Sequence, residues 1–171
     1  MNDEATPTLR APTEFTFDRY LVDLGAGTAR REHHACEDLE DVLGGIARSY
    51  KLLGGLPVVT DPYDPAAPLV VNIGVLTGSR VMTGLRTYLT GYSPLKASLA
   101  GAPGFMWSAG SGNFGPKLRG LGIDEMVLTG RAAGPTVLHL ASGAEGEAAR
   151  FSFLDASDLV GLPVDERIRW L

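Results

Sequence analysis

The sequence predicts a single β-rich α+β domain. Eight short segments with a strand pattern are separated by turns rich in glycine and proline, whereas only residues 39–53 show the periodicity of a long helix. A chain of 171 residues that is 44% apolar and 20% charged has the size and composition of one globular domain with its own core. We therefore expect a loose polar arm at residues 1–14 and one folded domain at residues 15–171.

A hairpin and the long helix are predicted in the first part of the chain. Residues 15–33 alternate in polarity on both sides of a Gly25-Ala26-Gly27 turn, which is typical of paired strands. The helix at residues 39–53 begins with a cluster of acids, which a helix N-terminus favours, and ends at a glycine pair. Gly44 and Gly45 fall in its middle, where each costs about 1 kcal/mol relative to alanine. We therefore expect another backbone to pack against them.

Six strands and three short helical segments are predicted in the rest of the chain. The strands are expected at residues 69–75, 87–92, 105–108, 126–129, 137–141 and 150–154. The helical segments are expected at residues 116–121, from residue 155 and from residue 163. Several prolines between residues 57 and 68 indicate an irregular connection within the domain.

Residues 74–122 differ from the rest of the chain in glycine content and in charge. They hold 11 of the 22 glycines, and their net charge of +5 contrasts with −10 for the remainder of a chain whose total is −5. The charged residues of this basic run are Arg80, Arg86, Lys96, Lys117 and Arg119. Glycine lets a ligand approach the backbone closely, and a surface without acids attracts anions. The run therefore predicts a surface for a phosphate-bearing cofactor, and the alternative is a set of glycine-rich turns without a ligand.

Bulk properties disfavour several classes of function. A sequence pI of about 5.1 argues against nucleic acid as a partner, because binding to phosphates along a strand needs a basic footprint. No apolar run approaches the length of a membrane span, and the N-terminus does not resemble a signal peptide, so we expect a cytoplasmic location. The single cysteine, Cys36, excludes a disulfide within the chain and a cluster held by several of its own cysteines.

No catalytic or metal-binding constellation is evident in the sequence. His139 alternates with leucines and is expected to point outward from a strand, and His33 and His34 lack a third group that would orient them beside Cys36. Ser111 lacks the strand-to-helix elbow of a hydrolase nucleophile. We therefore assign no catalytic residue and no metal ligand.

Residues 110–115 read Gly-Ser-Gly-Asn-Phe-Gly and formally match the dinucleotide loop GxGxxG. The Rossmann interpretation is rejected, because the surrounding sequence contains no βαβ unit and no acid about 20 residues further on. Backbone N–H groups ahead of a short helix nevertheless suit a phosphate.

Seven motifs resemble, in order, the N-terminal domain of the tungsten-containing aldehyde ferredoxin oxidoreductases. They lie at residues 18–28 (family opening VNLxTG), 43–53 (LGGRGLGAKLL), 74–78 (GPLTGT), 93–95 (KSPLTG), 113–122 (YFGxELKFAG), 127–131 (IIIEGKA) and 155–161 (DASHLWG). The order is kept from Phe17 onward, so the resemblance covers about nine-tenths of the chain.

This resemblance implies a base of paired β-sheets that supports a tungsten or molybdenum bis-pyranopterin beside a 4Fe-4S cluster. Arg86 matches the family arginine that follows the LTG loop and approaches the cofactor. Residues 109–113 match the family loop NSGGY near the pterin phosphates and their bridging magnesium. The candidate cofactor-binding residues are therefore Arg86, Gly110, Ser111, Gly112 and Asn113.

Three family positions hold other residues in this chain. The asparagine of NSGGY falls on Ala109, the lysine before SPL falls on Tyr92, and the arginine of GGRG falls on Ile46. In the family, the cluster cysteines and the substrate cavity belong to two later helical domains, which the resemblance does not include.

Two functions follow as hypotheses. In the first, the chain is a small subunit or excised domain of an aldehyde-type tungsten or molybdenum oxidoreductase. It supports the pterin and is inactive alone, while a partner chain supplies the 4Fe-4S cluster, the active site and the link to ferredoxin or another electron carrier. In the second, the chain is a non-catalytic scaffold or assembly subunit. Arg86 and the basic run favour the first hypothesis, and the replaced polar residues favour the second.

Overall fold

The computed structural model describes residues 16–35, 44–97, 101–144 and 147–170. The predicted arm at residues 1–14 lies outside these ranges. Within them, one six-stranded sheet and one two-stranded sheet combine with three α-helices and a 3-10 helix, which confirms the α+β class.

Eight strands occur in the described residues, each close to its predicted position. They are β1 (Thr16–Asp23), β2 (Thr28–Ala35), β3 (Leu69–Ile73), β4 (Thr87–Ala97), β5 (Pro103–Gly110), β6 (Glu125–Thr129), β7 (Thr136–Ala141) and β8 (Arg150–Asp155). The helices are α1 (Gly45–Gly54), α2 (Phe114–Gly120), the 3-10 helix Ser157–Leu159 and α3 (Val164–Trp170). β4 and β5 extend beyond the predicted segments.

The six-stranded sheet has the order β2-β1-β6-β3-β4-β5, and only the β1–β6 pair is parallel. β7 and β8 form a separate antiparallel hairpin. β5 is therefore an edge strand paired antiparallel with β4. This arrangement confirms the rejection of a Rossmann unit, whose glycine loop would follow a parallel strand.

One face of the large sheet carries the apolar core. Tyr20, Val71 and Met126 on this face pack with Leu118 of α2 and with the inner side of the β7–β8 hairpin. The Tyr20 hydroxyl accepts a hydrogen bond of 3.1 Å from the N–H of Ala149, so this polar atom is satisfied within the apolar surroundings.

The opposite face lies under α1 and buries a polar network among apolar side chains of β3, β6 and α1. Asn72 Nδ2 on β3 donates to the carbonyl oxygen of Gly45 at 2.9 Å and to Ser49 Oγ at 3.0 Å. The same amide lies 3.2 Å from Glu125 Oε2, and Arg19 Nε donates to Glu125 Oε1 at 2.6 Å. Asn72, Ser49 and Glu125 are fully buried, so this network links α1 to the centre of the sheet.

The predicted position of the glycine pair in the helix is wrong. Gly44 has a φ of 104° and precedes α1, and Gly45 opens the helix, so the pair marks its beginning. The acids at residues 37–41 lie outside the described residues, and the first turn of α1 contains no acid. The expected close backbone is present, because Gly44 forms an isolated β-bridge with Gly74 and a Cβ at Gly44 would lie 3.1 Å from the Ile73 carbonyl oxygen.

Candidate functional site

An open cavity of about 500 Å³ lies where α1 begins, beside the segment that joins β3 to β4. Its walls are the first turn of α1, the turn that follows β3, and the loop that leads into β4. The lining residues are Gly44–Ala47, Gly74–Thr77, Val81–Arg86 and Tyr88. Arg86 is the one charged residue among them.

The start of α1 supplies backbone donors to this cavity. Gly45, Ile46 and Ala47 form the first turn of the helix, and N–H groups in a first turn have no acceptor within the helix. Gly44 occupies the N-cap position and makes no side-chain cap. The wall therefore presents N–H donors at the positive end of a helix dipole, which favours an anion. In the sequence, this part of the site is marked by the Gly44-Gly45 pair. Hydrophobic periodicity did not show that the pair stands at the start of the helix.

Arg86 brings a positive charge to the same cavity. Its side chain is exposed and forms no hydrogen bond or ion pair with any described residue. Its backbone carbonyl oxygen is held by Thr77 Oγ1 at 3.0 Å. A guanidinium with a fixed backbone and unused donors is suited to a phosphate or carboxylate.

Arg119, another cation of the basic run, is engaged inside the protein. Its guanidinium bonds the Asp124 carboxylate and donates to the carbonyl oxygens of Gly74 and Thr77. Asp124 follows the acid-free run directly in sequence, so the charge of Arg119 is balanced locally. The count of five cations therefore overstates the charge that the run offers to a ligand.

The candidate loop at residues 110–113 lies beside Arg86 but does not line the cavity. Thr87 at the start of β4 pairs with Gly110 at the end of β5. Arg86 precedes Thr87 and Ser111 follows Gly110, so these two residues lie at adjacent strand ends. Asn113 precedes α2 and makes no side-chain cap. The sheet thus brings the two parts of the predicted site to one end of β4 and β5, with the cavity on the Arg86 side.

Gly110 is a glycine that the packing of this chain does not require. An added Cβ would meet no heavy atom within 4 Å, and the residue has no positive φ. Gly112 also faces open space, but its φ of 120° favours glycine for conformational reasons. The backbone at Gly110 is therefore open to an approaching group.

The other residues considered from the sequence are not brought together at this cavity. His139 is exposed on β7, as predicted, and His33 Nδ1 lies 2.8 Å from Asp18 Oδ1 on the β1–β2 hairpin. The described part of the chain contains no group of three or more His, Cys, Asp and Glu residues able to hold a metal ion. None of the helices in that part is long and apolar enough to cross a membrane.

Sequence comparisons identify relatives over most of this chain. The family profile described as the aldehyde ferredoxin oxidoreductase N-terminal domain matches residues 20–171. A tungsten-containing aldehyde ferredoxin oxidoreductase from Pyrococcus furiosus is 31% identical over 148 residues, which are 85% of this chain and 22% of the relative. The enzyme of the same name from Thermococcus kodakarensis is 31% identical over 152 residues, 86% of this chain and 23% of the relative. The chain thus spans less than a quarter of the length of these relatives.

A solved structure has the same fold. The active-site complex BamBC of benzoyl coenzyme A reductase, in complex with 1,5-dienoyl-CoA, aligns with a TM-score of 0.73 and 24% sequence identity. The alignment covers 90% of this chain and 22% of the other.

Proposed function

We propose that this chain supports a tungsten- or molybdenum-pterin cofactor for a partner chain. The chain belongs to the aldehyde ferredoxin oxidoreductase family, whose N-terminal domain it matches. The partner supplies the 4Fe-4S cluster and the residues that handle an aldehyde or related carbonyl compound. The complex works in the cytoplasm and passes electrons to ferredoxin or another carrier.

One observation carries the proposal: a single cavity combines the N-terminus of α1, which has no side-chain cap, with the guanidinium of Arg86. Among the described residues, none pairs with that guanidinium and no carboxylate lines the cavity. When the cofactor is bound, these groups would hold and orient the phosphate of the pterin. The redox chemistry belongs to the bound metal when the cofactor is present. The chain itself contributes phosphate binding, orientation and an apolar surface that excludes water.

The residues present fit the phosphate-bearing part of such a cofactor. Arg86 has unused donors, and the open backbone at Gly110, followed by Ser111 and Gly112, leaves room for a group that lies across the ends of β4 and β5. Asn113 offers a side-chain amide that caps no helix. Ala109 offers no polar group toward a bridging magnesium, so phosphate contacts are assigned to this chain and no metal ligand is.

The partner is proposed to cover β5. Met106 and Trp107 point to opposite faces of this edge strand and are 40% and 49% exposed. Large apolar side chains exposed on both faces of an edge indicate a surface that another element covers. The partner would lie over β5 and reach the neighbouring site at Arg86.

A second function is favoured by the replaced family residues at Tyr92, Ile46 and above all Ala109. If the polar group lost at this position is essential for retaining the cofactor, the chain serves as a scaffold or assembly subunit for a related enzyme. The first function predicts that the assembled complex contains pterin and that its retention depends on Arg86. The second predicts an assembly without pterin.

The test uses a tagged chain purified with its partners from its natural host. We expect the wild-type assembly to contain pterin and tungsten or molybdenum, together with a cluster-bearing partner. Arg86→Ala should loosen the pterin about ten- to a hundredfold, because a charge-assisted hydrogen bond contributes roughly 1.5–3 kcal/mol. Arg86→Lys should restore part of the binding, since Lys cannot bond a phosphate bidentately.

Arg80→Ala is the matched control, because Arg80 is an exposed arginine of the same segment that does not line the cavity. It should leave pterin content unchanged. Full pterin occupancy in Arg86→Ala contradicts the proposed site, and an assembly without pterin favours the scaffold function.

A further inference from the structure

We infer that Thr77 and Arg119 are positioning residues for Arg86: together they fix the backbone from which its guanidinium reaches the cavity. The inference rests on the proposed function and adds two residues to it. Neither side chain is proposed to touch the ligand. Arg119 is already bonded within the protein, and Thr77, although it lines the cavity, is buried and has its hydroxyl engaged by the backbone.

Thr77 connects the turn after β3 to the residue before β4. Its hydroxyl accepts a hydrogen bond from the Gly74 N–H at 3.2 Å and donates to the carbonyl oxygen of Arg86 at 3.0 Å. The Thr77 N–H in turn donates to the Gly74 carbonyl oxygen at 3.0 Å, which closes the turn. One buried hydroxyl therefore ties Arg86 to a turn that is itself hydrogen-bonded.

Arg119 holds this turn from the side of α2. Its Nε donates to the carbonyl oxygen of Thr77 at 3.2 Å, and its Nη2 donates to that of Gly74 at 3.0 Å. Nη1 bonds Asp124, whose other carboxylate oxygen accepts the Asp18 N–H at 2.9 Å. The guanidinium thus joins the turn to β1 through one carboxylate, a pattern that the single amine of lysine cannot reproduce.

Two glycines leave room for this linkage. A Cβ at Gly115 would lie 2.8 Å from Thr77 Cγ2 and 2.9 Å from the carbonyl oxygen of Leu85. A Cβ at Gly78 would lie 3.0 Å from Arg119 Cβ, and its φ of 76° also favours glycine. α2 therefore packs directly on the turn that holds the backbone of Arg86.

Binding of inorganic pyrophosphate to the full chain, measured by calorimetry, tests the inference. Thr77→Val keeps the size and branching of the side chain but removes the hydroxyl. It should weaken binding about five- to tenfold, as expected when a net hydrogen-bond contribution is lost. Thr77→Ser keeps the hydroxyl and should stay within about twofold of the wild type.

A double-mutant cycle separates positioning from general destabilisation. In an Arg86→Ala background, Thr77→Val should have no further effect on affinity, because its effect passes through Arg86. Urea unfolding of the same variants reports the stability change separately.

If Thr77→Val does not fold, Arg119→Lys serves instead. It keeps the charge but loses the paired carbonyl contacts, so it should also weaken binding. Lys117→Gln, which removes an exposed charge from the same helix, should not.

The outcomes distinguish this inference from the proposed function. Wild-type affinity in Thr77→Val or Arg119→Lys, with a clear loss in Arg86→Ala, overturns the positioning role alone. An equal further loss from Thr77→Val in the Arg86→Ala background also overturns it. Unchanged affinity in Arg86→Ala, or no binding by the wild-type chain, overturns the proposed site and the positioning role with it.

Discussion

The two faces of the six-stranded sheet are stabilised in different ways. On the face under α2 and the β7–β8 hairpin, the buried contacts are apolar and involve residues such as Tyr20 and Leu118. On the face under α1, a buried polar network runs from Arg19 through Glu125 and Asn72 to the first turn of α1, beside buried apolar residues such as Val70. The same sheet therefore carries an apolar core on one face and a network of hydrogen bonds and an ion pair on the other.

The difference matters for the position of the cavity. Apolar burial has no preferred direction, whereas hydrogen bonds hold an element only when donor and acceptor meet at a defined distance and angle. The polar face ends on the carbonyl oxygen of Gly45, which belongs to the wall of the cavity. The polar network thus fixes the site, and apolar burial on both faces contributes to stability.

The strongest test of this contrast is Glu125→Ala. Removing the buried carboxylate leaves the Arg19 guanidinium without its partner, which should cost about 3–5 kcal/mol in the free energy of unfolding. Urea unfolding measures the loss, and Glu125→Gln, which keeps an acceptor, should lose less. A cost below about 1 kcal/mol for the alanine variant would show that the network contributes little to stability.

Leu118→Ala tests the apolar face and should cost about 3 kcal/mol, through lost burial and the cavity left behind. Leu118 is 1% exposed. Leu118→Met, which conserves volume, should cost less than about 1.5 kcal/mol. Because Leu118 makes no directional contact with the wall, pyrophosphate affinity of the folded variant should be nearly unchanged. A large loss of affinity would contradict the division between the two faces.

The smallest expected effect lies on the β1–β2 hairpin, where Asp18 bonds Arg31 and His33. Burial alone would raise the pKa of Asp18, but the hydrogen bonds from these two residues outweigh it, so its pKa lies below the ordinary value. The carboxylate therefore stabilises the fold above the unfolded-state pKa of about 4, and this contribution is lost as the pH falls through the folded-state pKa.

Asp18→Asn should accordingly cost about 1 kcal/mol at pH 7. The difference from the wild type should shrink as the pH is lowered below about 4. Urea midpoints across this pH range measure both. A difference that stays constant down to pH 3, or grows there, would contradict this assignment.

Several parts of the fold could be predicted from the sequence, because their signals are local. The β1–β2 hairpin follows from alternation around a glycine turn, and the end of α1 follows from a glycine pair. The family could be recognised because its motifs keep their order, and the comparisons confirm it. Arg86 could be singled out as a candidate from the resemblance, and its role in binding stays a prediction.

The fold class, the strand segments, the family and the excess of basic residues in one run all follow from the amino-acid sequence. The fold distinguishes these cations: no described residue pairs with the side chain of Arg86, whereas that of Arg119 bonds Asp124 and the turn after β3. It also placed Gly44 and Gly45 at the start of α1, against β3. The physical reason is that periodicity and composition report local preference, whereas the pairing of a charge and the end of a helix depend on residues that are distant in sequence and adjacent only in the folded chain.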